Sequence, residues 1–193
     1  MPDLYLFGGP NGAGKTTTAR RILPDFLSCR EFVNADAIAS ALSPFRPETV
    51  ARQAARLMLL RLAELVCQKQ SFAFESTLAS RGFVSFLKNC RESDYQIHLL
   101  YIWLHSADLA VERVKARVRS GGHSIPEDVI RRRYERGLKN FFDLYVPLCD
   151  SWTVLNNSTE TQHSEIDLVA SGGATQQTLI HQAATWDLIQ AQR

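Results

Sequence analysis

The chain has 193 residues, with 22 Lys and Arg against 20 Asp and Glu and a formal net charge of +2, which fits one domain with a continuous core and leaves no room for a second catalytic domain. So small a basic excess argues against general nucleic-acid binding. Cys29, Cys67, Cys90 and Cys149 are widely spaced with no C-x-x-C pair, against a zinc site, a redox motif or a disulfide-stapled secreted domain, and no apolar run reaches the roughly 18–20 residues of a membrane span.

The start, Met1-Pro2-Asp3, lacks the basic and apolar regions of a signal peptide, so a cytoplasmic protein with no membrane or nucleic-acid partner is expected. Leu4 to Phe7 reads as a short strand. It runs into Gly9-Pro10-Asn11-Gly12-Ala13-Gly14-Lys15-Thr16, which matches G-x-x-x-x-G-K-[ST]. Glycines let the backbone N–H groups curl around a phosphate, and the helix that follows turns its positive dipole end toward the same anion. The loop, with Thr17 beside it, predicts an ATP site in which Lys15 reaches the β- and γ-phosphates and the Thr16 hydroxyl holds Mg²⁺.

A helix from about Lys15 should end before Pro24. Glu31 to Asn34 is a second strand that delivers Asn34-Ala35-Asp36, and Pro44 and Pro47 punctuate the stretch before a long helix. There Val50, Ala54, Leu57, Met58, Leu62, Leu65 and Val66 recur at helical spacing and mark a buried face. Phe72-Ala73-Phe74 is a third strand, ending in Glu75-Ser76-Thr77, and Ile97 to Leu104 has the continuous apolar character of a central strand. Ser106 is placed to cap a helix running to about Ser120, stopped by Gly121-Gly122. Pro126 opens another, with a stripe of Ile130, Tyr134, Leu138, Phe141 and Tyr145 that Pro147 terminates. Trp152 to Leu155 is the last expected strand, 156–165 a polar loop, Ala170 to Thr175 a turn and Leu179 to Ile189 a closing helix.

Strands alternating with helices place the chain in the α/β class, with a parallel sheet wrapped by helices, and the phosphate-binding loop marks a P-loop NTPase. In such sheets ligands bind beyond the carboxyl ends of the strands, where Asp36 and Glu75 fall. A kinase acting on a hydroxyl needs a carboxylate to take or orient the proton and anchors for Mg²⁺, and these two could divide the tasks. Asp36 could equally serve a helix start and Glu75 a solvated strand end.

Between Glu112 and Lys139 stand nine Lys or Arg and four acids. Arg113 and Arg117 share one helical face, Lys115 and Arg119 another, and Arg131, Arg132 and Arg133 fan out at about 100° steps. A mobile hairpin over 108–140 closing on ATP is one reading, and ordinary solvated helix faces the other. Helical period alone does not select the inward arginines. His123 is read as a turn or phosphate-side residue and His98 as a core or edge residue of its strand.

The loop at 9–17, Asn34-Ala35-Asp36, Phe-Glu-Ser-Thr at 74–77 and Gly-Gly-His-Ser-Ile-Pro-Glu-Asp-Val-Ile-Arg-Arg-Arg-Tyr at 121–134 together resemble the zeta-toxin family in its short bacterial branch, over roughly residues 3–157. Zeta toxins are P-loop kinases that phosphorylate the sugar of UDP-N-acetylglucosamine. The resemblance implies a three-layer α/β/α, nucleoside-monophosphate-kinase-like domain over 1–193, with a parallel sheet of order 2-3-1-4-5 and with 108–140 as its lid. It further implies Lys15 on the ATP phosphates, Asp36 as base, Glu75 and Thr77 in the acceptor pocket, and Arg119, Arg132 and Arg133 on the transferred phosphoryl group. An antitoxin protein is the implied partner. The chain is shorter than the founding toxins and its Gly-Gly-His lid differs from theirs, so the acceptor could be another nucleotide, a dinucleotide or an antibiotic. A P-loop switch or a nucleotide-binding module without transfer are the other readings. Ala170 to Thr175 superficially resembles an ABC signature but lacks the Gln and the strand ending in Asp that such ATPases need.

Overall fold

The computed structural model describes residues 1–122, 124–159 and 166–193. His123 and most of the expected 156–165 loop lie outside the described residues. The first strand, β1 (Asp3–Gly8), alternates Leu4 and Leu6 toward one face with Tyr5 and Phe7 toward the other, so both faces of the sheet must be covered. It lies in the centre, flanked by β3 (Phe72–Ser76) and β4 (Gln96–Trp103), both parallel to it. β2 (Glu31–Val33) joins β3, and β5 (Ser151–Asn156) joins β4. The parallel part therefore has the order 2-3-1-4-5 that the family resemblance implies.

One layer of helices comprises α3 (Ala51–Cys67) and α4 (Gly82–Glu92), with the end of α6 (Glu127–Asn140) and α7 (Ala183–Ala191). The opposite layer is built by α1 (Lys15–Ile22), α5 (Ala107–Arg119) and the start of α6. α2 (Ala35–Leu42) packs on α3. The stripe expected along α3 buries Ala54, Met58, Leu62 and Leu65, while Leu57 stays partly exposed. The stripe of the following hairpin is fully used: Ile130, Tyr134, Leu138, Phe141 and Tyr145 are all buried. A π-helical turn (Phe141–Tyr145) and a 3-10 turn (Val146–Leu148) extend α6 to Pro147.

Two features depart from the sequence expectation. α4 was not expected, although Phe83, Phe86, Leu87 and Cys90 all pack against the core at helical spacing. Two aromatics and β-branched Val84 in six residues disguise it as extended chain. The sheet also continues past β5 with antiparallel β6 (Asp167–Gly173) and β7 (Leu179–Ile180), so Ala170 to Gly173 is strand and the closing helix begins only at Ala183. Small residues make β6 hard to see, and packing demands them: a Cβ on Gly172 would lie 2.6 Å from the Trp152 ring. His98 sits on β4 as expected for a strand residue, with its ring nitrogens 2.8 Å from Ser151 Oγ and 2.9 Å from Asp3 Oδ1.

Gly137 carries the contact that sets α6 against the mouth of the sheet, because any Cβ there would collide with the Thr77 carbonyl just beyond β3. Gly137→Ala is expected to cost about 2–3 kcal/mol by overpacking and to lower the melting midpoint by roughly 5–10 °C. An unchanged midpoint would mean that α6 can lift from the sheet freely.

Candidate active site

Gly9 follows β1 with φ 138°, and a Cβ on it would collide with the Ile102 carbonyl of β4, so only glycine lets the chain turn there. The turn brings Lys15 and Thr16 into the first turn of α1, where backbone N–H groups have no partner within the helix. Lys15 Nζ donates to the carbonyls of Gly9 (2.9 Å) and Pro10 (2.8 Å). The Asn157 side chain donates to the Ala13 carbonyl at 2.9 Å and braces the loop from the end of β5.

The β2 end supplies two groups. Asn34 caps α2, its side-chain oxygen accepting from Ala37 N at 2.9 Å, while its amide nitrogen lies 3.4 Å from Thr16 Oγ1. Because Asn34 is the cap, Asp36 falls in the first turn of α2 with its carboxylate on the wall of the site. The β3 end supplies Glu75, whose Oε2 accepts from Thr16 Oγ1 at 2.7 Å. The expected metal-binding hydroxyl and the expected acceptor-pocket carboxylate are thus direct partners.

Lys15, Thr16, Asn34, Asp36 and Glu75 line one cavity of about 650 Å³ over the phosphate loop, with Thr77 and Thr17 also on its wall, while Gly9, Pro10 and Ala13 of the loop lie outside it. Three arginines enter it: Arg113 and Arg117 from α5, and Arg133 from α6, whose guanidinium lies 3.4 Å from Asn11 Oδ1. Arg119 and Arg132 do not line it. Arg119 is two residues from Arg117, so it points to the other side of α5, where it borders an apolar pocket of about 440 Å³ between the two helices. Arg132 is half-exposed, 3.9 Å from Asp128. Lys115 and Arg131 pair with Glu127, and Arg131 also meets Asp108 at 2.6 Å. The basic segment therefore divides, three arginines facing the cavity and the others paired or solvated. The i, i+4 spacing of Arg113 and Arg117 was visible in the sequence. What selects their face is the contact of α5 with the loop, where Gly12 sits against Ala110 and Arg113.

Burial pulls the Lys15 ammonium below its ordinary value, with Glu75 and Asp36 opposing and Arg117 and Arg133 reinforcing the shift. Burial likewise pushes the Glu75 carboxyl up, against the pull of Lys15 and the Thr16 hydrogen bond. Four cations facing two carboxylates leave the cavity an excess of positive charge, suited to a polyanion. A Mg²⁺ ion fits the donor set, since it takes few protein ligands, keeps several waters and shares phosphate oxygens. The Thr16 hydroxyl would hold it, with Glu75 holding its waters.

Glu75 provides a stability test. Its folded-state value is raised, so the ionic cost is absent below the ordinary 4.5, grows as pH rises toward the folded-state value and is constant above it. Glu75→Gln, which can still accept from Thr16, is expected to melt above the native chain at pH 7.5, the gain shrinking toward pH 4.5. Melting curves at several pH values check this, and a gain independent of pH contradicts it.

Comparison with known proteins agrees with this architecture. The family described as Zeta toxin matches residues 1–163. An uncharacterised protein of Haemophilus influenzae is 32% identical over 126 residues, covering 65% of this chain and 88% of the relative. Among solved structures, the AvrRxo1-ORF1:-ORF2 complex with ATP superposes with a TM-score of 0.78 at 17% identity, covering all of this chain and 64% of that one. The chain thus spans less than two thirds of the AvrRxo1 chain. The PezAT toxin-antitoxin system of Streptococcus pneumoniae superposes with a TM-score of 0.67 at 15% identity, covering 98% of this chain and 77% of that one. No helix among the described residues is long and apolar enough to cross a membrane.

Proposed function

Because the chain belongs to the zeta toxin family and is a P-loop kinase, we propose that it transfers the γ-phosphoryl group of ATP to a hydroxyl of a small-molecule acceptor, with a UDP-sugar such as UDP-N-acetylglucosamine as the leading acceptor. The observation that carries this reading is the single cavity shared by Lys15 and Thr16 of the phosphate loop, the carboxylates of Asp36 and Glu75, and Arg113, Arg117 and Arg133. A motor or switch also sets carboxylates and arginines around its nucleotide, but it needs no further open space beside them for a second substrate.

In this reading the triphosphate lies on the loop N–H groups, and Lys15 leaves the Gly9 and Pro10 carbonyls to meet its β- and γ-oxygens. The acceptor hydroxyl attacks phosphorus as the bond to the ADP oxygen breaks, and Asp36 takes the hydroxyl proton. Arg113, Arg117 and Arg133 offset charge on the equatorial oxygens. Bound Mg²⁺ would supply further charge neutralisation at the phosphates, held by Thr16 as described. A lid role for 108–140 would need only small adjustments, because Val111, Val114, Ile130 and Tyr134 hold both helices in the core and Arg113, Arg117 and Arg133 already line the cavity. Arg119 and Arg132, given roles by family resemblance, face away from the cavity, and Arg113, Arg117 and Arg133 take those roles in this reading. A protein partner of the antitoxin kind is inferred from the two complexes that share the fold.

Incubation with ATP, Mg²⁺ and a panel of metabolites, read by mass spectrometry, tests the reading. One acceptor should gain a single phosphoryl group in step with ADP release. ADP release with no phosphorylated acceptor would overturn it in favour of an ATPase.

A further inference from the structure

The three cavity arginines stand on two helices, α5 and α6, and one side chain from the end of the chain joins both. Gln192, just past α7, donates from Nε2 to the His105 carbonyl at 3.0 Å, two residues before α5 begins at Ala107. Its Oε1 accepts from Trp103 Nε1 at 3.1 Å and stands 3.0 Å from the Tyr134 hydroxyl of α6. Tyr134 directly follows Arg133, and its hydroxyl also lies 2.8 Å from the Leu104 carbonyl. Trp103 is buried, so its N–H depends on this acceptor, because a buried donor left unpaired is costly. The helix that delivers Gln192 is anchored by other contacts: Ile189 is buried, and Trp186 stacks on Trp152 with ring centroids 5.8 Å apart. All of α7 lies beyond residues 1–163, the span that matches the family.

We propose that Gln192 is a positioning residue for phosphoryl transfer, holding α6 against the start of α5 so that Arg133 meets the phosphates together with Arg113 and Arg117. The reason is mechanical. Arg133 and Tyr134 are consecutive in a helix and point about 100° apart, so an anchor on the tyrosine fixes the rotation and height of the guanidinium. The contact of Arg133 with Asn11 is long, at 3.4 Å, and its place therefore depends on the helix that carries it. Further along α6, Gly137 against Thr77 and Asn140 Nδ2, which donates to the Leu78 carbonyl at 2.7 Å, fix the helix beside the end of β3. Gln192 does the same for the turn that bears Arg133. A displacement of about 1 Å at a group that stabilises transition-state charge can cost about 10²-fold in rate. The inference rests on the kinase reading for what the arginines do, but the coupling of Gln192 to Arg133 does not require an acceptor.

A double-mutant cycle of Gln192→Met and Arg133→Met in the full chain tests this, read both as transfer to an acceptor from the metabolite panel and as ADP release. Methionine keeps the length of glutamine and removes its polar atoms. Gln192→Met should lower kcat about 10–100-fold while changing the KM for ATP less than about threefold. In the Arg133→Met background the same substitution should cost less than about twofold, because the group it positions is already gone. A merely structural role predicts the same fold-loss in both backgrounds, since a smaller folded fraction scales every rate alike. That result overturns the proposal, and so does a native kcat in Gln192→Met. Tyr134→Phe, which removes a single hydroxyl, decides the matter if Gln192→Met does not fold. Its loss too should vanish in the Arg133→Met background, and a loss that persists there overturns the proposal. Coupled losses in ADP release with no phosphorylated acceptor would uphold the role of Gln192 and defeat the kinase reading. Transfer to an acceptor with uncoupled losses would do the reverse.

Discussion

Lys15→Met is expected to lower phosphoryl transfer by at least about 10³-fold, equivalent to about 4 kcal/mol of transition-state stabilisation, while the protein remains folded. The ammonium is already stripped of water, held by the Gly9 and Pro10 carbonyls and lowered in pKa chiefly by burial. Little further desolvation is then needed for it to act on the phosphates. The same burial fixes the stability outcome. A lysine whose folded-state value lies below its ordinary one opposes folding at every pH below that folded value, and the penalty fades as pH rises through it. Methionine keeps the stem and removes the charge, so the variant should melt at or above the native temperature at pH 7.5. Stopped activity with an undiminished melting midpoint would separate a chemical role from a structural one. Measurable transfer near the native rate would remove Lys15 from the mechanism.

The site was legible in the sequence where chemistry depends on local spacing. The loop and its lysine follow from eight consecutive residues, and Asp36 and Glu75 follow from the rule that strand ends face the ligand. The α/β class likewise needed only the alternation of apolar runs and helical stripes, whereas the parallel order of β2, β3, β1, β4 and β5 followed from the family resemblance that the motifs carry. What stayed hidden depends on contacts distant in sequence. Thr16 and Glu75 are 59 residues apart and Arg133 and Asn11 are 122 apart, so no periodicity could join them. The arginine face of α5 is chosen by its contact with the loop, and period alone left Arg113 and Arg119 equivalent. β6 was hidden because Gly172 makes room for Trp152, a demand visible only once the two strands are paired. Gln192 was hidden for the same reason. From the end of the chain its side chain lies 3.1 Å from Trp103 Nε1, 3.0 Å from the Tyr134 hydroxyl and 3.0 Å from the His105 carbonyl, tying α7 to the end of β4 and to the neighbour of Arg133.

Asp36→Asn is expected to reduce transfer by about 10²–10⁴-fold, the range in which a positioned general base contributes, with the KM for ATP little changed. Asparagine keeps the shape and the first-turn position in α2 but cannot take a proton. Two roles for the carboxylate predict the same loss, and Mg²⁺ dependence separates them. If Asp36 anchors the waters of the ion, raising Mg²⁺ should restore much of the activity, because the defect is one of affinity. If it takes the acceptor proton, activity should stay low at every Mg²⁺ concentration. Glu75→Gln supplies the complementary comparison, since Glu75 is the carboxylate in direct contact with Thr16 and should show the Mg²⁺-dependent pattern. Full transfer by Asp36→Asn would end its assignment as the base and leave Glu75 as the carboxylate in the cavity to examine for that role.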